Sequence, residues 1–266
     1  MPGATMYAAD TGRGRPLIFL HGWSSHGDYF GPQVKALACD FRLVTPDLPG
    51  HRHSPAAPEA LNIPALATEL HKLIVARGLE QPVLVGWSMG AMVALEFIGQ
   101  FGGAGLGGLV IEDMTVKITN EPGWRFGIRN GFDAVQSAAG VAAMREDWAG
   151  YSQNAMPRLF ARSYIPDAAL GDWISAEIAH NDGQAMAALW QSMAEQDYRA
   201  LLPQLELPVL ILHGGESQLY EPAVGQWMAA NITGARRCCF DNAGHSPHLE
   251  VPDAYNRALV DFITSL

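Results

Sequence analysis

The residue best placed for covalent chemistry is Ser88, at the centre of the pentapeptide Gly86–Gly90, which is Gly-Trp-Ser-Met-Gly. It fits the pattern G-x-S-x-G, in which a tight turn between a strand and a helix presents a serine hydroxyl. An apolar run at Pro82–Val85 precedes it and a helical pattern at Ala91–Phe101 follows it. Glycines let such a turn approach its neighbours closely, and the start of a helix favours a developing negative charge. The motif predicts that Ser88 is a nucleophile.

A serine nucleophile needs a base, and His245 is the best-placed of the nine histidines. It lies in a loop between an apolar run at Arg236–Phe240 and the last helical pattern of the chain. A neutral imidazole, with an ordinary pKa of roughly 6.5, can accept the serine proton at neutral pH. His248, three residues later, is the plausible competitor.

Short apolar runs followed by turn residues recur along the chain and predict strands. Between them lie segments in which apolar residues repeat at spacings of three and four, as in helices. The predicted strands are Leu17–Leu20, Phe41–Val44, Val83–Val85, Leu109–Ile111, Val209–Leu212 and Arg236–Phe240, and the predicted helices are Ile63–Arg77, Met89–Phe101, Pro222–Ala230 and Pro252–Leu266. This alternation predicts an α/β fold, with a mostly parallel sheet covered by helices on both faces.

The alternation stops between residues 114 and 206, where the pattern becomes helical with scattered aromatic residues and methionines. We therefore expect an α/β core formed by residues 1–113 and 207–266, with a helical cap inserted at 114–206. Aromatic and methionine side chains line many small-molecule pockets, so part of the cap is expected to face a substrate. The residues proposed for this pocket are Ser24, Trp87, Trp124 and Trp148.

The overall composition argues against several classes of function. The 266 residues carry a formal net charge of −10, whereas binding to nucleic acid or to an anionic membrane needs clustered Lys and Arg. The apolar runs are far shorter than the roughly 20 residues of a membrane span. Three cysteines without paired spacing indicate neither a disulfide framework nor a metal site. Because Met1–Gly14 lacks the pattern of a secretory signal, we expect a cytoplasmic protein.

Four local motifs together resemble the α/β-hydrolase superfamily over nearly the whole chain. They are His21-Gly22-Trp23, Asp47–His51, Gly86–Gly90 and Gly244-His245-Ser246. The chain is most similar to the group that contains carboxylesterases, pimeloyl carrier-protein methyl ester esterases and haloperoxidase-like perhydrolases. The resemblance implies an α/β-hydrolase fold and chemistry without a cofactor or a metal.

The resemblance also assigns roles to individual residues. Ser88 would be the nucleophile and His245 the base. The backbone N–H groups of Trp23 and Met89 would form an oxyanion hole, in which the identity of the side chains matters little. Structural roles are expected for three further histidines, His21, His51 and His213.

The acid that orients the base departs from the commonest pattern, which is H-G-x-x-D after the strand preceding the base strand. Here His213–Ser217 is His-Gly-Gly-Glu-Ser, with serine in place of aspartate. Glu216 is one alternative. Some members of the superfamily instead carry the acid after the strand that follows the nucleophile helix, where this chain has Glu112 and Asp113. Asp113 is the preferred acid, and Glu112 is the third candidate although alternation along a strand would turn it to the opposite face.

These residues predict a serine hydrolase that cleaves a small to medium apolar carboxylic ester through an acyl-enzyme. Serine as the nucleophile argues against haloalkane dehalogenase and epoxide hydrolase chemistry, which use a carboxylate. A more specific alternative is an esterase for an acyl methyl ester linked to a carrier protein, with an acidic acyl carrier protein docked on arginines of the cap. Those arginines are Arg125, Arg129, Arg145, Arg158 and Arg162. Lactonase, perhydrolase and C–C hydrolase activities remain open on the same scaffold, and a non-enzymatic binding role is disfavoured.

Overall fold

The computed structural model describes residues 6–266, so the first five residues of the predicted core lie outside the described part. One sheet is formed by β1 (Ala8–Gly12), β2 (Pro16–Leu20), β3 (Arg42–Pro46), β4 (Val83–Trp87), β5 (Gly108–Glu112), β6 (Val209–Gly214) and β7 (Arg236–Phe240). The order across the sheet is β1-β3-β2-β4-β5-β6-β7. β1 pairs with β3 antiparallel and the other neighbours are parallel. The carboxyl ends of β2, β4, β5 and β6 therefore meet at one edge.

The α-helices of the described residues are α1 (Gly31–Leu37), α2 (Ile63–Ala76), α3 (Met89–Phe101), α4 (Ala134–Glu146), α5 (Trp148–Ser152), α6 (Ala168–Ala179), α7 (Gly183–Glu195), α8 (Pro222–Asn231), α9 (Pro247–Glu250) and α10 (Pro252–Ile263). α2 shows how the sequence sets a boundary. The Asn62 side chain accepts a hydrogen bond from the Ala65 amide (2.8 Å), and Pro64 lies in the first turn, where no N–H partner is lost. No helix within residues 6–266 combines the length and the apolar character that a membrane crossing requires.

Helices cover both faces of the sheet. Alternate residues of one strand accordingly pack in two different apolar clusters. Ile18 and Leu20 of β2 pack in the cluster that includes α2, α3 and α8. Leu17 and Phe19 pack in the cluster that includes α9 and α10. Every residue of β4 is buried, as expected for a central strand of a parallel sheet with both faces covered.

The predicted parallel sheet and its helices are present, with ends that differ from the prediction by a few residues. The structure adds β1, which was not predicted because its exposed residues, such as Asp10 and Gly12, form no apolar run. This edge strand is stabilised by its pairing partner. Residues Ala8 to Gly12 pair with β3, and Arg42 of β3 contacts the Asp10 carboxylate at 2.7 Å. A strand held by its neighbour leaves little signal in its own residues.

Between β5 and β6 the chain forms a helical insertion that contains α4 to α7. α4 begins with a capping box, in which the Asp133 side chain accepts from the Gln136 amide and the Gln136 side chain accepts from the Asp133 amide. α4 and α7 pack together around Val141, Met144 and Ala187.

The first part of the insertion, residues 114–133, is irregular where helix was predicted. Turn residues dominate it, and Asn120 organises it: its amide group donates to the carbonyls of Ile128 (2.7 Å) and Phe132 (3.0 Å) and accepts from the Gly127 amide (3.1 Å). A side chain that bonds nearby backbone groups competes with helix formation.

Candidate active site

Ser88 lies between β4 and α3 on a strained backbone. Its φ is 53° and its ψ is −122°, a combination outside the helical and strand regions. Close packing explains the flanking glycines. A Cβ on Gly90 would lie 2.0 Å from the Leu20 carbonyl oxygen, and one on Gly86 would lie 2.5 Å from the backbone of α3. The Ser88 amide donates to the Glu112 carbonyl (3.0 Å), which ties the turn to the end of β5.

Asp113 directly follows β5 and meets His245. Its Oδ2 atom lies 2.7 Å from His245 Nδ1, and both side chains are buried. The backbone of Asp113 has a φ of 38°, and its amide donates to the Leu212 carbonyl of β6 (2.9 Å). The structure thus brings the preferred acid against the proposed base.

The Asp113 carboxylate is surrounded by donors. Oδ1 contacts His213 Nδ1 (2.9 Å) and the Gly214 amide (3.2 Å), while Oδ2 accepts from the Ser217 hydroxyl (2.6 Å) as well as from His245. Burial disfavours the charge, but the contacts with the two histidines outweigh it and hold the pKa of Asp113 well below its ordinary value. Ser217, at the position where the commonest pattern has aspartate, donates this hydrogen bond to Asp113, the acid preferred from the sequence.

The two alternative acids lie elsewhere. Glu112 is fully buried on the other face, where Oε1 contacts His248 Nδ1 (2.7 Å) and Oε2 accepts from the Tyr255 hydroxyl (2.9 Å). Glu216 is exposed and accepts from the Ser163 hydroxyl (2.6 Å). The alternation of side chains along β5 explains why adjacent carboxylates contact different histidines.

Glu250 holds the loop that carries His245, although it was not among the residues predicted from the sequence. Its Oε1 atom accepts from the amides of Gly244 (2.8 Å) and Ser246 (3.3 Å), on either side of the base. Its Oε2 atom accepts from the Ala161 amide of the insertion (2.8 Å), and burial raises the pKa of Glu250. The available signal was an acidic residue between the apolar Leu249 and Val251 just after the base.

Two buried histidines fix the loop of the proposed oxyanion hole. His21 Nε2 accepts from a backbone amide of the loop after β3 (2.8 Å), so its Nδ1–H donates to the Gly22 carbonyl (2.8 Å). His51 Nε2 accepts from the Ser24 amide (3.3 Å). Burial lowers the pKa of His21 well below its ordinary value and that of His51 to about 4, so both imidazoles are neutral at pH 7. The predicted structural roles fit these contacts.

The two proposed oxyanion-hole amides lie next to the nucleophile turn. The loop of Trp23 packs directly on it, since a Cβ on Gly22 would lie 3.3 Å from the Ser88 Cβ. Met89 is the first residue of α3, so its N–H has no acceptor within the helix. Both amides are thus in the neighbourhood where an oxyanion formed at Ser88 would lie.

Ser88 and His245 face a cavity of about 290 Å³. Trp23 and Ser24 also line it, which places Ser24 where it was predicted. Much of the remaining wall is apolar and comprises Ile128, Leu159, Ile178, Trp190, Met193 and Leu219. A mostly apolar cavity with a few convergent polar groups is typical of small-molecule sites.

Three tryptophans predicted for this pocket do not line it, which corrects that part of the prediction. Trp87 is buried behind the turn, and its Nε1 donates to the His245 carbonyl (2.8 Å). Trp124 packs on Trp227, and its Nε1 donates to a carbonyl of its own loop (3.0 Å). Trp148 packs edge-on against Trp23 of the core and stacks on Tyr151 of the insertion. Each ring contributes to packing, and Trp190 of α7 supplies the tryptophan of the insertion that faces the cavity.

The chain belongs to the α/β-hydrolase family, whose family model, described as "Alpha/beta hydrolase family", matches residues 17–258. Among curated relatives, the "AB hydrolase superfamily protein YisY" of Bacillus subtilis is 24% identical over 98% of this chain and 96% of its own length. A pimeloyl-[acyl-carrier protein] methyl ester esterase of Methylococcus capsulatus is 28% identical over 98% of this chain and 99% of its own length.

Solved structures show the same fold. An esterase from Exiguobacterium antarcticum superposes with a TM-score of 0.91 at 23% identity, over 97% of this chain and 95% of that chain. At this level of identity the similarity establishes the fold, while function has to be argued from the site.

Proposed function

We propose that the protein is a serine hydrolase that cleaves small to medium apolar carboxylic esters. The observation that carries this proposal is the 2.7 Å contact between Asp113 Oδ2 and His245 Nδ1, because the same imidazole faces the cavity that holds Ser88. A carboxylate on Nδ1 fixes the tautomer in which Nε2 is free to accept a proton. A serine and an oriented imidazole in one cavity are the parts of nucleophilic acyl transfer.

In the proposed reaction the Ser88 oxygen attacks the ester carbonyl carbon while its proton passes to His245 Nε2. The N–H groups of Trp23 and Met89 stabilise the negative charge that develops on the carbonyl oxygen. The imidazolium then protonates the leaving alcohol, and an acyl-enzyme remains. His245 next removes a proton from water, which attacks the acyl-enzyme, and the imidazolium then returns that proton to the Ser88 oxygen as the carboxylic acid is released. Asp113 stays ionised throughout, in agreement with its lowered pKa.

Residues 114–206 serve in this proposal as a cap over the core formed by 1–113 and 207–266. The cavity has walls from both parts, with Ser88 from the core and Met193 from α7 of the insertion. Trp23 joins the two: its ring contacts Trp190 (5.2 Å between centroids), and its Nε1 donates to the Met186 carbonyl (2.9 Å). An apolar wall over the nucleophile reduces the access of water and favours apolar substrates.

The direct test combines labelling by a fluorophosphonate with hydrolysis of 4-nitrophenyl esters of increasing acyl length. We expect Ser88→Ala to abolish labelling and to lower kcat by about 10⁶-fold, the loss typical of a missing nucleophile. Ser163→Ala, which removes an exposed hydroxyl, is the matched control and keeps both signals. Wild-type labelling of Ser88→Ala would contradict the proposal.

A second candidate is an esterase for an acyl methyl ester linked to an acyl carrier protein. The observation in its favour is the name of the Methylococcus capsulatus relative, which matches over 98% of this chain. Exposed arginines of the insertion, Arg125, Arg145, Arg158 and Arg162, would dock the acidic carrier, whereas Arg129 pairs with Glu221.

Turnover of carrier-linked and free methyl esters of the same acid tests this candidate. A higher kcat/KM for the carrier-linked ester, with a preference that falls as ionic strength rises, would support docking. Equal kcat/KM values for the two esters would exclude it.

A further inference from the structure

We infer that Arg158 selects esters whose far end carries a carboxylate, that is, half-esters of dicarboxylic acids. The inference rests on the proposed ester hydrolysis at Ser88 and names the substrate class of the same cavity. Arg158 lies in a single 3-10 turn, Met156–Leu159, of the insertion, and it lines the cavity that also holds Ser88 and His245. The walls of one cavity thus carry both the hydroxyl of Ser88 and the guanidinium of Arg158.

The distribution of charge in the cavity supports this assignment. Among the described residues that line it, Arg158 is the one with a permanent charge, and most of the others are apolar. Tyr151 and Asn154, which lie in the same part of the insertion, add neutral hydrogen-bonding groups. Burial raises the pKa of Tyr151 and the positive charge of Arg158 opposes that shift, in agreement with the position of both residues in the wall of the same cavity. An apolar chain between two polar ends matches this lining.

The guanidinium is also available. Arg129 of the same insertion contacts the Glu221 carboxylate and Arg199 contacts Asp197, whereas no ion pair within residues 6–266 involves Arg158. The five N–H donors of a guanidinium form a planar fork that matches the two oxygens of a carboxylate. A neutral ester of the same length cannot use these donors, so the arginine discriminates between the two.

Monomethyl octanedioate and methyl octanoate are a matched pair of substrates, because they differ in one terminal carboxylate. For the wild-type chain we expect a higher kcat/KM on the half-ester, through a lower KM, and a preference that weakens as ionic strength rises. Because Arg158 is exposed at the cavity, Arg158→Gln should lower the ratio of the two kcat/KM values by about five- to tenfold. Arg257→Gln, which removes the same charge from an exposed side chain outside this cavity, should leave the ratio unchanged.

The affinity for unreactive analogues of the two esters tests the role of Arg158 without any need for turnover. The monoamide of octanedioic acid and octanamide replace the ester by an unreactive amide, and calorimetry measures their affinities. We expect the wild-type chain to bind the monoamide more tightly than octanamide and Arg158→Gln to lose most of this difference, while Arg257→Gln keeps it.

The outcomes separate the two proposals. Equal affinities of the wild-type chain for the two amides, or a difference that persists in Arg158→Gln, would overturn the role of Arg158. Hydrolysis of methyl octanoate without any preference for the half-ester would also overturn it and leave the esterase proposal intact. Tight, Arg158-dependent binding of the monoamide without hydrolysis of either ester would contradict the esterase proposal alone.

Discussion

Two buried carboxylate–imidazole pairs lie side by side at the end of β5, and they differ in what surrounds them. Asp113 contacts His245 at 2.7 Å, and Glu112 contacts His248 at the same distance. His245 lines the cavity, whereas His248 is fully buried among the aromatic rings of the core. Both pairs consist of a carboxyl group and an imidazole. They differ in access to the cavity, which His245 has and His248 lacks.

The Glu112–His248 pair also supports the segments that carry Ser88 and His245. α9 directly follows the loop of His245, and Glu112 holds its first turn through both the backbone amide (3.2 Å) and the side chain of His248. The Glu112 carbonyl meanwhile accepts from the Ser88 amide. One residue of β5 thus connects the nucleophile turn to the segment that follows the proposed base.

Asp113→Asn should reduce activity more than a substitution in the Glu112–His248 pair. Removing the charge that orients His245 is expected to lower kcat by about 10⁴-fold, as for the acid of a catalytic triad. The measurement is hydrolysis of a 4-nitrophenyl ester by folded protein, with circular dichroism as the control for folding. A loss below tenfold would show that Asp113 does not act on the base.

Glu112→Gln should instead act on stability. Replacing this fully buried side chain, which accepts hydrogen bonds from His248 and Tyr255, is expected to lower the free energy of unfolding by about 3 kcal/mol, measured by urea denaturation. Turnover per folded molecule should stay within about tenfold of the wild-type value, the range of an indirect effect. Unchanged stability together with a thousandfold loss of turnover would reverse the roles of the two pairs.

The acid can be moved between strands if the geometry around Asp113 Oδ2 is as described. That oxygen contacts both the Ser217 hydroxyl (2.6 Å) and His245 Nδ1, so a carboxylate at position 217 can reach the base. We expect Ser217→Asp to restore about ten- to hundredfold of the kcat lost in Asp113→Ala, which is about 1.4 to 2.7 kcal/mol. Ser217→Asp alone should reduce activity, because it sets two carboxylates against each other. Absence of any rescue would contradict this arrangement.

The smallest expected effect is the pH dependence of the contribution of Asp113 to the free energy of unfolding. Because the folded state lowers the pKa of Asp113, ionised Asp113 stabilises the fold above its unfolded pKa of roughly 3.9, and this contribution is lost as the pH falls through the folded value. The difference in free energy of unfolding between wild type and Asp113→Asn should not narrow between pH 7 and 5 and should narrow below about pH 4. Urea denaturation at each pH measures it, and narrowing already above pH 5 would contradict the lowered pKa.

The predicted α/β fold with a mostly parallel sheet is confirmed, and it could be predicted because apolar strand patterns and helix periodicity are local signals. The α/β-hydrolase family, which was expected from the resemblance of four motifs, is confirmed as well. The preference for Asp113 over Glu112 came from the same local rule, since alternation along a strand turns adjacent side chains to opposite faces. Glu250 was missed although an acidic residue between apolar neighbours was a signal, and its contact with the Ala161 amide, 89 residues away in the chain, leaves no local pattern. The three tryptophans were misplaced because an aromatic residue in an insertion has the same sequence signature whether it packs inside or faces a cavity.

The hydrogen bonds of Glu250 have a mechanical consequence, because they couple the insertion to the loop that carries His245. One carboxylate clamps both the base loop and Ala161 of the insertion, and Gly244 packs so closely there that a Cβ would lie 2.1 Å from the Ala161 nitrogen. These contacts fasten the insertion to the loop that carries His245. Displacing the insertion along them would break the hydrogen bond to Ala161 and disturb the carboxylate that holds the Gly244 and Ser246 amides on either side of His245.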